Sequence, residues 1–95
     1  MIYGFCRVST KHQSLQRQLD TLIKYGISRR FIFSDKYSGK TLDREGLNEL
    51  LSVLKSGDSI VVKEIDRLGR NRKETKELIL HFIKNDIELV CLDMP

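Results

Sequence analysis

The 95 residues predict one small α/β domain: a three-layer structure around a mainly parallel four-stranded sheet with helices on both faces. Short apolar runs alternate with helical stripes, strand then helix three times over and a strand to close, which is the pattern of a parallel sheet. The first run, Met1 to Val8, is apolar at both parities, as in a strand covered on both faces. The chain has no repeat, no linker and a single proline, Pro95, so its length supplies one core and not two.

Each element has its own signal. Ile2, Tyr3, Phe5, Cys6 and Val8 build the first strand around Gly4. Lys11, His12 and Gln13 form a polar loop. Leu15, Leu19, Leu22 and Ile23 then mark a helical face, and Gly26 stops that helix. Phe31-Ile32-Phe33 is the second strand, followed by a polar loop over 35–43. Asp43 can cap the second helix, whose apolar face is Leu47, Leu50, Leu51 and Leu54. Ser56-Gly57-Asp58 is a turn, and Ile60-Val61-Val62 with Ile65 forms the third strand. The polar connection 66–71 leads to a third helix, with Asp66 as a possible cap and Thr75, Leu78, Ile79, Phe82 and Ile83 as its stripe. Ile87 to Leu92 is the fourth strand.

Crossovers are right-handed, and covering both faces requires the winding to reverse once. The expected strand order is therefore 2-1-3-4. Ligands in such sheets bind at the reversal, beyond the carboxyl ends of strands one and three. That crevice would bring Arg7 and Ser9 together with Asp66, Arg67 and Arg70.

Composition narrows the function. Hydrophobic residues make up 40% and charged residues 32%, the balance of a soluble globular domain. No run is long enough to cross a membrane, and no signal-peptide pattern opens the chain. Cys6 and Cys91 sit in apolar strands and read as small buried hydrophobes of a reducing cytoplasm. With strand three between them they are expected about 10 Å apart, too far for a disulfide. No Cys/His cluster has zinc-ligand spacing, so no such metal site is expected. The net charge is +4. The segment Lys63–Lys73 holds five basic and two acidic residues, 5 − 2 = +3, and is a candidate anion footprint.

Arg7 and Ser9 are two residues apart on a strand and point to one side. A guanidinium presents a fork of donors that fits two oxygens of a phosphate. Acyl-transfer chemistry would need a base and a Gly-x-Ser-x-Gly elbow, and the context here is Arg-Val-Ser-Thr-Lys. The glycine-rich turn of a dinucleotide site is absent after strand one. Phosphoryl transfer to the serine fits best, because fixed guanidinium groups can stabilise the charge of its transition state.

The motifs fit one family. Tyr3-Gly4-Phe5-Cys6-Arg7-Val8-Ser9-Thr10, Gln13 with Gln18, Phe33-Ser34-Asp35-Lys36, Ser38-Gly39, Asp43-Arg44 with Gly46-Leu47, Gly57-Asp58 and Asp66-Arg67-Leu68-Gly69-Arg70 occur in order along nearly the whole chain. In these the chain resembles the catalytic domain of the resolvase/invertase family of serine recombinases. The resemblance implies that Ser9 attacks a DNA phosphodiester and becomes joined to the 5′ phosphate. It implies that Arg7, Arg67 and Arg70 hold that phosphate with Arg44 nearby, that Asp66 and Asp35 orient these groups, and that Gln13 and Gln18 shape the site. A free 3′ hydroxyl would later attack the phosphoserine, so neither ATP nor a metal is required. DNA is the implied partner, with a homodimer and a synaptic tetramer in the full-length protein, in the cytoplasm at the nucleoid of a bacterium or mobile element.

In the family a dimerisation helix and usually a helix-turn-helix module follow the catalytic domain. Residues 1–95 thus read as a catalytic domain cut before both, expected to bind DNA weakly and not to recombine it alone. Cys6 stands where the family often has a smaller residue. Lys36, Lys40, Arg72 and Lys73 read as surface charges grazing the DNA backbone. His12 reads as a loop residue rather than a base for Ser9, and His81 as exposed. The competing function is a non-catalytic module that only binds a nucleic-acid backbone or assembles with its own copies.

Overall fold

The structure, a computed structural model, describes residues 1–8, 14–38, 41–42 and 45–93. Its elements in chain order are β1 (Ile2–Arg7), α1 (Gln16–Tyr25), β2 (Ile32–Asp35), a two-residue ladder of β3 (Tyr37–Ser38) and β4 (Thr41–Leu42), α2 (Glu45–Val53), β5 (Ser59–Val62), α3 (Arg72–Lys84) and β6 (Glu88–Cys91). The main sheet has the order β2-β1-β5-β6, and every pairing in it is parallel. With the small antiparallel ladder set aside, this is the expected order 2-1-3-4.

Alternation along β1 divides the core. Cys6 faces α1, where it packs with Leu19, Leu22, Ile27, Ile32 and Val61. Phe5 faces the other way, into a cluster with Leu47 and Leu50 of α2, Leu78 and Phe82 of α3, and Ile60 and Val62 of β5. A central parallel strand is buried on both sides, which is why its sequence is apolar at both parities. Gly26 ends α1 with φ 119° and donates its N–H to Ile23, a left-handed cap that a β-carbon would strain.

Several expectations are corrected at the edges. Phe31 belongs to a 3₁₀ turn, Arg29–Phe31, and strand two starts one residue later and runs to Asp35. Asp35 therefore ends a strand rather than opening a loop, and the loop itself contains the β3/β4 ladder. Ile65 lies outside β5, in a 3₁₀ turn over Ile65–Arg67, and is exposed. Ile23 and Ile83 complete their helical stripes in sequence, yet they are 46% and 70% exposed. A helix on a flat sheet buries a narrow stripe, and the outermost residue of a four- or five-member pattern falls beyond its edge.

Both cysteines are free, and β5 separates their strands. Burial pushes the Cys6 thiol up to about 12, the nearby charge of Arg29 pulling weakly the other way. Thiolate is the reactive form, so Cys6 should resist alkylation in the native protein. Native labelling with iodoacetamide at pH 8 should modify half-buried Cys91 first, with Cys6 reacting only after denaturant is added; prompt labelling of Cys6 would show that β1 opens on its own.

Candidate active site at the carboxyl ends of β1 and β5

Arg7 is the last residue of β1, paired in register with Asp35 of β2. On its other side β5 pairs only as far as Gly4. The missing neighbour is replaced by a side chain. The Gln18 amide of α1 accepts from Arg7 N at 3.2 Å and donates to Arg7 O at 2.9 Å. A buried amide that satisfies both backbone groups continues the hydrogen bonding of the sheet one step beyond its last strand pairing.

The Arg7 side chain turns toward the segment after β5 and is only 7% exposed. Its Nη2 donates to the carbonyls of Asp66, at 2.6 Å, and Gly69. Burial lowers its pKa, and the charge of Arg67 lowers it further, while Asp35, Asp66 and Glu74 oppose the shift. A guanidinium stays protonated through such a shift, so two like charges are held together at this end of the sheet. Arg7 Nε and Arg67 Nε are both buried and have no hydrogen-bond partner among the described residues. An anion with several oxygens in the cleft would relieve the repulsion between the two guanidinium groups.

Arg7, Asp66, Arg67, Gly69 and Arg70 line one cleft of about 600 Å³. Arg67 is half-buried and also lines a second cleft, with Ser14, Arg17, Gln18 and Lys63. Arg70 is exposed. The Glu74 carboxylate accepts from Arg70 N at 2.9 Å and lies 3.5 Å from Arg70 Nε. Asp35 is 1% exposed, and its Oδ1 accepts from Leu47 N at 2.9 Å, in the first turn of α2. There a carboxylate meets the positive end of the helix.

The structure thus brings Arg7, Arg67, Arg70 and Asp66 to one cleft, with Gln18 and Asp35 holding the strand ends behind it. Ser9, Gln13 and Arg44 lie outside the described residues, as do His12 and Lys40. Asp66 does not cap α3. That role falls to Asn71, whose Oδ1 accepts from Glu74 N at 2.9 Å. The spacing Asn71-x-x-Glu74 is the capping-box signature and was readable in the sequence. Asp66 instead gives its carbonyl to Arg7. Among the described residues no group of His, Cys, Asp and Glu is placed to hold a metal ion, and no helix is long and apolar enough to cross a membrane.

Gly69 is the tightest point of the site. A β-carbon on it would stand 2.6 Å from Thr75 N and 2.7 Å from Thr75 Oγ1. Its N–H donates to that hydroxyl, and its carbonyl accepts from Arg7. Gly69→Ala should push the 66–69 turn away from α3, costing about 1–3 kcal/mol as an overpacked site does and loosening Arg7. Denaturant unfolding monitored by circular dichroism measures the loss; a midpoint unchanged from the parent would show that the turn has room to shift.

Comparisons with known proteins agree on one family. The family model described as "Resolvase, N terminal domain" matches residues 2–95. The chain is 42% identical over 92 residues to the Transposon Tn917 resolvase of Enterococcus faecalis, spanning 97% of this chain and 49% of that protein. It is 41% identical over 92 residues to the Transposon Tn3 resolvase of Escherichia coli, spanning 97% and 50%. The chain thus spans about half the length of the curated relatives it matches. Among solved structures, the N-terminal catalytic domain of TP901-1 integrase superposes with a TM-score of 0.74 at 30% identity, over 97% of this chain and 77% of that one. The C-terminal catalytic domain of ISC1926 TnpA, an IS607-like serine recombinase, gives 0.72 at 21% identity over 99% and 69%, a likeness of fold alone.

Proposed function

Because the chain belongs to the resolvase N-terminal domain family, we propose that it is the catalytic domain of a site-specific DNA recombinase, with Ser9 as nucleophile. The observation that carries this reading is the pair of like-charged guanidinium groups, buried Arg7 at the end of β1 and half-buried Arg67 in the turn after β5, each with an Nε that has no partner among the described residues. Such a pair serves no core. It suits a phosphodiester whose non-bridging oxygens gain charge as the reaction proceeds.

In the proposed reaction a lone pair of Ser9 Oγ forms a bond to phosphorus as the serine proton leaves. The P–O3′ bond breaks, its electron pair going to the 3′ oxygen, which takes up a proton and departs as a hydroxyl. DNA stays joined to Ser9 through its 5′ phosphate. Attack by the 3′ hydroxyl of another strand reverses these changes and conserves the bond energy. Arg7, Arg67 and Arg70 hold the phosphate, Arg44 assists, and Asp35, Asp66, Gln13 and Gln18 orient the arginines and the strand ends. The partner is DNA, and exchange of both strands of a duplex calls for a dimer at each site and a tetramer in synapsis, in the cytoplasm at the nucleoid. A larger protein around this domain would supply subunit pairing and base-edge contacts, since phosphate contacts alone give affinity without sequence preference.

The test joins the chain to a sequence-specific DNA-binding module and offers a duplex carrying that module's site next to a single-strand break that prevents religation. Mass spectrometry of the digested adduct should find a nucleotide 5′ phosphate on the Ser9 peptide. Salt-sensitive DNA binding without any adduct would favour the non-catalytic module instead.

A further inference from the structure

We propose that Glu74 is a positioning residue for Arg70: one carboxylate, fixed at the start of α3, holds both the backbone and the guanidinium of Arg70 toward the Arg7–Arg67 cleft. This rests on the recombinase reading for its consequence, though not for its geometry. Glu74 Oε1 accepts from Arg70 N at 2.9 Å, and Glu74 Oε2 stands 3.5 Å from Arg70 Nε. The carboxylate is itself placed from behind, since Glu74 N donates to Asn71 Oδ1 at 2.9 Å.

The arrangement differs from an ordinary helix cap. In the usual capping box the acidic side chain returns to the N–H of the cap residue itself. Here it reaches one residue further back, to the arginine. The difference also argues against a role in stability. The Arg70 side chain is 52% exposed in this pair and that of Glu74 19%, and exposed ion pairs contribute little. What the pair does supply is direction. An arginine with no tether has four rotatable side-chain bonds and samples many poses; with its backbone and Nε held by one carboxylate, the Nη groups are left free to meet a phosphate in the cleft that Arg70 lines. Glu74 is also among the carboxylates that oppose the lowering of the Arg7 pKa.

Three substitutions separate positioning from capping: Glu74→Gln keeps length and an acceptor for Arg70 N but removes the charge facing Nε; Glu74→Asp keeps the charge one methylene short; Asn71→Ala removes the cap. The first readout needs no activity. In nitrogen-15-labelled protein the Arg70 Nε–H should give a resolved, motionally restricted signal in the parent and in Asn71→Ala, and an averaged, mobile one in both Glu74 variants. Asn71→Ala should lower the thermal midpoint, while Glu74→Gln leaves it almost unmoved. In the adduct assay Glu74→Gln should lower the saturating rate constant of adduct formation by about ten- to a hundredfold, the scale of a misplaced group, with the half-saturating DNA concentration little changed. Equal order of the Arg70 signal in parent and Glu74→Gln overturns the proposal, as does an unchanged rate constant of adduct formation. Should Glu74→Gln not fold, Glu74→Asp decides on the same signal. If the parent forms no adduct at all, the recombinase reading fails, and the Arg70 signal still judges Glu74.

Discussion

Ser9→Ala, in the chain joined to a DNA-binding module, is expected to abolish the covalent adduct while leaving DNA binding nearly intact. The hydroxyl is the only group the change removes, and in the proposed reaction it would contribute one bond to phosphorus and none of the charge that attracts DNA. Arg67→Ala is expected to behave differently. Its guanidinium would gain strength as charge develops on the phosphate, so the adduct should still form but about 10²–10³ times more slowly, the usual cost of removing one transition-state donor. Removing Arg67 also removes the like charge beside Arg7, so the variant should be at least as stable as the parent. Gel electrophoresis under denaturing conditions, with time courses on labelled duplex, measures both. An adduct from the Ser9→Ala protein would mean that another residue is the nucleophile.

Phe5→Ala is expected to have the largest effect on stability. Phe5 is fully buried on the central strand, paired in register with Phe33 and packed with residues of α2, α3 and β5. Truncating a core phenylalanine costs about 3–5 kcal/mol. A domain of this size has roughly 5–14 kcal/mol in all. The midpoint of thermal unfolding should fall by about 15 °C or more, and Arg7, two residues further along the same strand, should lose its fixed place. Calorimetry tests the first statement. A fall of only a degree or two would mean that the neighbouring leucines collapse into the space.

The expectations that held are those set by periodicity and chirality. Alternation of strand and helix, with right-handed crossovers and one reversal, left a single sensible strand order, and that order placed Arg7 beside the segment holding Asp66, Arg67 and Arg70. Gln18, named for the site only through family resemblance, shows what periodicity misses. It is a polar residue one place before Leu19 on α1, and nothing local says that its amide will serve the backbone of a strand. Glu74 escaped for a related reason: its spacing to Asn71 marks a cap, while its contact with Arg70 depends on how the turn before α3 folds back. Ile23, Ile65 and Ile83 were misplaced because hydrophobicity reports a preference for burial, and the sheet had no surface left to offer them.

The contacts that Arg7 makes with the carbonyls of Asp66 and Gly69 span 59 and 62 residues of chain. Nothing nearer in sequence substitutes for them among the described residues. The arginine cluster is therefore a product of completed folding and not of any local segment. On the ribosome, the arginine at the end of β1 emerges long before the turn that will receive it, and the cluster closes only once Gly69 has cleared the exit tunnel and β5 has docked beside β1. A polypeptide interrupted anywhere before that point carries the serine and its neighbouring arginine without the rest of the cluster. A chain halted before that point also lacks both carbonyls that fix the Arg7 guanidinium.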